Sequence, residues 1–170
     1  MRSAVVVTVP EAEPLVGVWR LRYTHDAPAG MPPHVTLLFP FVAAERVGEA
    51  EGRLAELVLA APAFDLAFRR TARFAGVLYL DPEPAEPFVA LTGAIAGEWP
   101  EHPPYEGVFD EVIPHLTVAE AQDSALLDRI AAAVEPHLPV QTRVREASLF
   151  VEDGGGRWHQ RGRLPLGGTG

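Results

Sequence analysis

The chain contains no cysteine, which excludes disulfides, thiolate nucleophiles and cysteine-ligated zinc. Lysine is absent too, so all 14 basic residues are arginine. No Gly-rich phosphate loop is present, because the "GGG" at 154–156 sits in a hairpin turn and is not followed by a helix. The six histidines form neither His-x-His nor HExxH spacing, and no metal and no cofactor is expected. Long apolar runs are missing as well. The N-terminal "MRSAVVVTVPEAEP" meets Pro10 and acidic residues too soon to span a membrane and lacks a signal-peptide cleavage pattern. A soluble cytoplasmic protein with no membrane partner is the expectation.

What is present is an apolar chain with an acidic balance. Hydrophobic residues make up 48% of the 170 positions, enough for one domain or two small lobes sharing a core. The net charge of −9 argues against a long footprint on nucleic acid. Arginines concentrate in segments that read as strands: Arg69, Arg70 and Arg73, then Arg143 and Arg145, then Arg157, Arg161 and Arg163. Acids fall in helical and loop stretches. An arginine-lined patch on an acidic body suits a small phosphate-bearing ligand. A base-composition bias, which the abundance of Ala, Gly and Pro also suggests, is the alternative source of the arginines.

The periodicities predict a strand over 3–10, a helix over 11–24 with Leu15, Val18, Trp19 and Arg22 at helical spacing, and a strand from His34 to Phe39. A helix over 43–61 carries Val47, Leu54, Leu57 and Val58 on one face. A hairpin over 63–74 and 76–82, a helix over 86–99, a proline-rich loop over 100–114 and a strand from His115 to Ala119 follow. A helix over 123–138 capped by Asp123 or Ser124 leads to a terminal hairpin of 140–153 and 157–166. The expected architecture is α+β: two pseudo-symmetric lobes, each an antiparallel sheet with helices on the outside, around a central cleft. One domain is expected over 1–166, with 167–170 a flexible tail. The oligomeric state is left open.

Two segments of this pattern repeat each other, "PPHVTLLFPF" at 32–41 and "IPHLTVAEA" at 113–121. In a strand, residues i and i+2 share a face. His34 and Thr36 therefore project together with Val35 and Leu37 behind them, and His115 and Thr117 do the same above Leu116 and Val118. A lone His-x-Thr in a strand carries no chemistry. Two copies, each after a proline and each opening an apolar strand in matching halves, are parts for phosphodiester chemistry. One neutral imidazole can take a proton from the attacking oxygen while the other, protonated, gives one to the leaving oxygen. Threonine hydroxyls can donate to the non-bridging phosphate oxygens.

On these two motifs the chain resembles the 2H phosphoesterase superfamily, the two-histidine proteins often labelled 2′-5′ RNA ligases or RNA 2′,3′-cyclic phosphodiesterases. The resemblance extends over essentially the whole chain. It implies that His34 and His115 are the catalytic acid–base pair and Thr36 and Thr117 the phosphate ligands. It also implies a metal-independent phosphoesterase that opens 2′,3′-cyclic phosphates, with a small nucleotide or an RNA terminus as partner. The alternatives are a 2′-5′ RNA ligase and a non-catalytic nucleotide- or RNA-end-binding module. Tyr105, in the loop before the second motif, is the candidate for stacking on a base. Phe39 is expected in the core, because its parity sets it opposite His34.

Overall fold

A computed structural model describes residues 1–168. Its principal elements are β1 (Ser3–Thr8), α1 (Glu13–Tyr23), β2 (His34–Leu38), α2 (Val47–Leu59), β3 (Phe64–Phe74), β4 (Val77–Glu83), α3 (Glu86–Glu98), β5 (Leu116–Glu120), α4 (Ser124–Val134), β6 (Val140–Val144), β7 (Glu146–Glu152) and β8 (Trp158–Pro165). They form two four-stranded antiparallel sheets, ordered β2-β1-β7-β8 and β5-β4-β3-β6. The expected α+β architecture of two lobes is the one found. Each motif strand lies at the edge of its sheet, and the two edges, β2 and β5, face each other.

The terminal hairpin is where the expectation fails. The segment 140–153 is two strands in two sheets: β6 pairs with β3, and β7 inserts between β1 and β8. The cause is a phase slip in the apolar alternation. In the large core, Val140 and Val144 sit at even positions and Ala147 and Leu149 at odd ones, while Phe150 belongs to a separate smaller cluster, so one continuous strand cannot keep both sets in that core. Arg145 lies at the crossing between the lobes.

This crossing reassigns the halves of the chain. The hairpin β3–β4 that follows the first motif belongs to the lobe of the second motif, and the terminal β7–β8 hairpin completes the lobe of the first. The helices trade places too. α1 packs on β5 and α3 packs on β2, each against the motif strand of the other half, while α2 lies on β8 and α4 on β4. One large apolar core runs through both lobes, and a smaller cluster of Ala4, Val6, Met31 and Phe150 lies apart from it.

α1 departs from its expected face. Val16 and Arg20 are buried while Val18 is 76% exposed; the inward stripe thus contains an arginine, which hid it from an apolar pattern. The N-terminus of α4 is capped by Asp123, whose Oδ1 accepts from the backbone N–H groups of Ala125 at 3.0 Å and Leu126 at 3.4 Å. The expected tail begins with a residue that is tied down, since Gly167 exchanges backbone hydrogen bonds with Ala61 and Ala63. Residues 169–170 of that expectation lie outside the described residues.

Both motif strands carry a β-bulge just after the threonine. Val5 and Val6 pair with Leu38 and Thr36, so Leu37 is the extra residue; Leu78 and Tyr79 pair with Ala119 and Thr117, so Val118 is. A bulge leaves ladder groups unpaired, and each is met by the helix from the other half. Thr92 of α3 donates its hydroxyl to the Leu37 carbonyl at 2.7 Å, and Arg20 of α1 donates to the Thr117 carbonyl at 2.7 Å. Thr92→Val keeps the shape and removes the donor, leaving a buried carbonyl unpartnered. Urea unfolding should show a loss of about 1–3 kcal/mol, and an unchanged midpoint would mean that the bulge carbonyl is satisfied otherwise.

Candidate active site

The geometry around each histidine begins with the proline before it. Proline has no N–H, and the residue ahead of it is confined to extended conformations. The carbonyls of Pro32 and Ile113 are thereby aimed at the imidazoles two residues on. His34 Nδ1 donates to the Pro32 carbonyl at 2.8 Å, and His115 Nδ1 donates to the Ile113 carbonyl at 2.7 Å. A carbonyl only accepts, so Nδ1 carries the hydrogen in both rings and each Nε2 is left for chemistry.

The four expected side chains come together. His34, Thr36, His115 and Thr117 line one cleft of about 380 Å³ between the two edge strands. Burial lowers the pKa of both histidines below the ordinary value, because desolvation disfavours the imidazolium. For His34, whose side chain is 11% exposed, the Asp26 carboxylate opposes that shift and the Arg20 guanidinium adds to it, as does His115 across the cleft. The His115 ring lies edge-on to Phe74 at 5.1 Å and packs against Tyr79 at 5.6 Å.

Tyr105 reaches the site by a strained route. It and Glu106 adopt left-handed backbone conformations, φ 49° and 57°, which are unfavourable for residues with a Cβ. Its N–H donates to the Phe39 carbonyl at 2.7 Å, pinning the loop to the end of β2. Its phenol meets the Thr36 hydroxyl, and burial raises its pKa. Tyr105 forms a wall common to the cleft and to a second, mostly apolar pocket of about 570 Å³ beside His115. Phe74, Val77, Phe109 and Ile113 also line that pocket; its charged residues are Glu111 and Glu120.

Phe39 corrects the parity argument. The bulge at Leu37 sends Leu38 into the core with Val35 and Leu37, and turns Phe39 back onto the cleft face. There it packs edge-on to Trp158 at 6.0 Å, with Arg2 over both rings. The second motif repeats the slip: Val118 and Ala119 are both buried and Glu120 returns to the cleft. The signal was in the sequence, as two consecutive apolar residues after each His-x-Thr.

The expected arginine patch does not form. Arg69, Arg70 and Arg73 pair with Glu83, Asp81 and Asp128, and Arg143, Arg161 and Arg163 pair with Asp65, Glu51 and Glu146. Arg2 is the arginine lining the cleft, and Glu152 holds it by two hydrogen bonds of 2.7 Å. His25 is exposed at the cleft rim and pairs with Glu120 at 3.1 Å. Among the described residues no cluster of three or more His, Cys, Asp or Glu side chains could hold a metal ion. No helix among them is long and apolar enough to cross a membrane.

Two facing lobes, each offering an imidazole and a hydroxyl from an edge strand, define a bilobal two-histidine protein of the class that acts on phosphodiester bonds. The chain belongs to the 2′-5′ RNA ligase superfamily, whose family model matches residues 8–156. Solved structures share the fold. TT0787 of Thermus thermophilus superposes with a TM-score of 0.67 at 21% identity, covering 100% of both chains. Escherichia coli LigT complexed with 3′-AMP gives 0.63 at 19% identity over 97% of each chain. The same protein complexed with NADP+ gives 0.63 at 20% over 98% of each. No curated protein matches the sequence significantly.

The desolvation of both rings has a direct readout. Imidazole titrations followed by NMR should place the midpoints of His34 and His115 below about 6.5, the value of an unperturbed histidine. A midpoint above it for both would show that water or anionic side chains, not burial, govern the cleft.

Proposed function

We propose that this chain is a metal-independent phosphoesterase that hydrolyses 2′,3′-cyclic phosphates of small nucleotides or RNA ends. The observation that carries this reading is the matched pair of Nδ1–carbonyl hydrogen bonds. They leave two imidazole Nε2 atoms, one from each lobe, aimed into a cleft that also holds two threonine hydroxyls. Water attacks phosphorus in line with the departing ribose oxygen. One Nε2 takes the proton from water, the other supplies one to the leaving oxygen, and Thr36 and Thr117 donate to the non-bridging oxygens. The Tyr105 phenol, beside Thr36, joins them as a substrate ligand. The two imidazoles supply every proton transfer the step requires.

The surroundings favour a nucleotide with a single reacting phosphate. The apolar pocket beside His115, walled by Phe74 and Phe109, suits a neutral aromatic ring such as a nucleobase. Escherichia coli LigT, crystallised in complexes with 3′-AMP, NADP+ and ATP, supports a nucleotide ligand. Further phosphates find little charge to meet them, since Arg2 is already engaged by Glu152 and the cleft adds Asp26 and Glu120. This balance favours hydrolysis at a small end over ligation along a polymer.

Turnover of a panel of 2′,3′-cyclic nucleotides, measured with chelator present, tests the reading. His34→Ala and His115→Ala should each lower kcat/KM by at least about a hundredfold with the circular dichroism unchanged. Retained activity in either would sink the mechanism, and binding without turnover by the parent protein would favour the non-catalytic module. The limb set by the base rises with pH through its pKa, and the limb set by the acid falls through its own. Both are lowered, so kcat/KM should peak below about pH 6.5. An RNA oligomer with the same cyclic end should react no faster than the mononucleotide; a large gain with length would point to ligase-like engagement of a polymer.

A further inference from the structure

His34 and His115 share a tautomer lock and differ in their neighbours. Behind His34 lies Arg20, whose side chain is 1% exposed. Its Nη1 donates to the Thr117 carbonyl at 2.7 Å, and its Nη2 to Asp26 Oδ1 at 3.0 Å and to the carbonyls of Met31 and Pro32 at 3.3 and 3.4 Å. A buried guanidinium needs a compensating carboxylate, and Asp26 supplies it. The turn carrying Asp26 is closed by Thr24, which accepts from the Ala27 N–H at 3.3 Å, and by the Met31 N–H donating to the Asp26 carbonyl at 2.9 Å. The other carboxylate oxygen, Oδ2, is held 3.8 Å from His34 Nε2.

That distance has chemical content. It is too long for a hydrogen bond, so the Nε2 proton stays free to meet an oxygen in the cleft. It is short enough for the negative charge to favour the imidazolium. Arg20, gripping Oδ1, prevents the carboxylate from closing the gap. His115 has aromatic rings instead, Phe74 and Tyr79, and no carboxylate pairs with it among the described residues. The other charged side chains at the cleft are engaged elsewhere: Glu120 is hydrogen-bonded with His25 at 3.1 Å, and Arg2 is paired with Glu152. Facing His34 from the packed elements are therefore Asp26, Arg20, His115 and the Tyr105 phenol.

We propose that Asp26, fixed by the buried Arg20, is a positioning residue that makes His34 the proton donor to the leaving oxygen and leaves His115 to accept the proton from the attacking water. The assignment rests on the hydrolase reading above. The water O–H bond breaks and its proton passes to His115 Nε2 as the new P–O bond forms. The P–O bond to ribose breaks, and its electron pair takes the proton from His34 Nε2. The cycle ends with His115 protonated and His34 neutral, and proton exchange with solvent restores the starting state.

Asp26→Asn is the decisive variant, read in two ways. NMR titration of the free protein should move the His34 midpoint to lower pH and leave that of His115 in place. In the pH profile of kcat/KM the alkaline limb should move to lower pH, with a loss of about tenfold or more above neutrality, a near-parental rate on the acid side and little change in KM. Asp26→Glu, which retains the charge, should restore most of the alkaline activity; if Asp26→Asn does not fold, a parental profile in Asp26→Glu supports the charge role and a pH-independent loss overturns it. Movement of the acid limb instead would overturn the assignment of donor and acceptor, and a uniform loss at every pH would reduce Asp26 to a structural role. An unchanged His34 midpoint overturns the part given to Asp26 alone, whereas absence of turnover by the parent protein overturns the hydrolase reading and the donor role with it.

Discussion

A backbone carbonyl two residues ahead of each motif histidine decides which ring nitrogen faces the cleft, and the rest of the site depends on that choice. Were Nδ1 free to rotate into the cleft, neither imidazole would have a fixed protonated atom, and the hydroxyls of Thr36 and Thr117 would flank an undefined target. The prolines at 33 and 114 make the arrangement local. Each restricts the residue before it, so the carbonyl and the imidazole it binds belong to one short stretch of chain. The orientation of each imidazole is thus set by a contact local in sequence.

Bringing the two stretches together is the task of the fold, and it does so by exchange. Helices α1 and α3 each dock on the motif strand of the other half, where Arg20 and Thr92 satisfy carbonyls opened by the bulges. The bulges re-aim Phe39 and Glu120 onto the cleft face, so local irregularity and inter-lobe contact are parts of one device. A core common to both lobes joins the platforms that carry the two imidazoles.

Much of this was legible in the sequence, and the exceptions have physical causes. Alternation and helical spacing located the elements, and the repeated His-x-Thr located the four central side chains. The division at Arg145 was missed because it shows as a change of parity within a run that no Gly or Pro interrupts, not as a turn residue. Phe39 was misplaced because simple alternation fails across a bulge. Arg20 and Asp26 escaped because one is a charged residue on a buried stripe and the other sits in a turn, positions where sequence gives no cue that their charges meet. The arginine clusters on β3 suggested a ligand patch until the carboxylates opposite them, supplied by other elements, were in place.

The central place in its sheet of β7, a strand near the end of the sequence, has a consequence for synthesis on the ribosome. Until Glu146–Pro165 have emerged, the sheet bearing His34 can consist of β1 and β2 alone, and two paired strands are marginal in water. Both His-x-Thr segments are translated well before that point, but the platform for the first of them is not. The wall of the cleft that carries His34 therefore has its full sheet behind it only once the last two strands have been made.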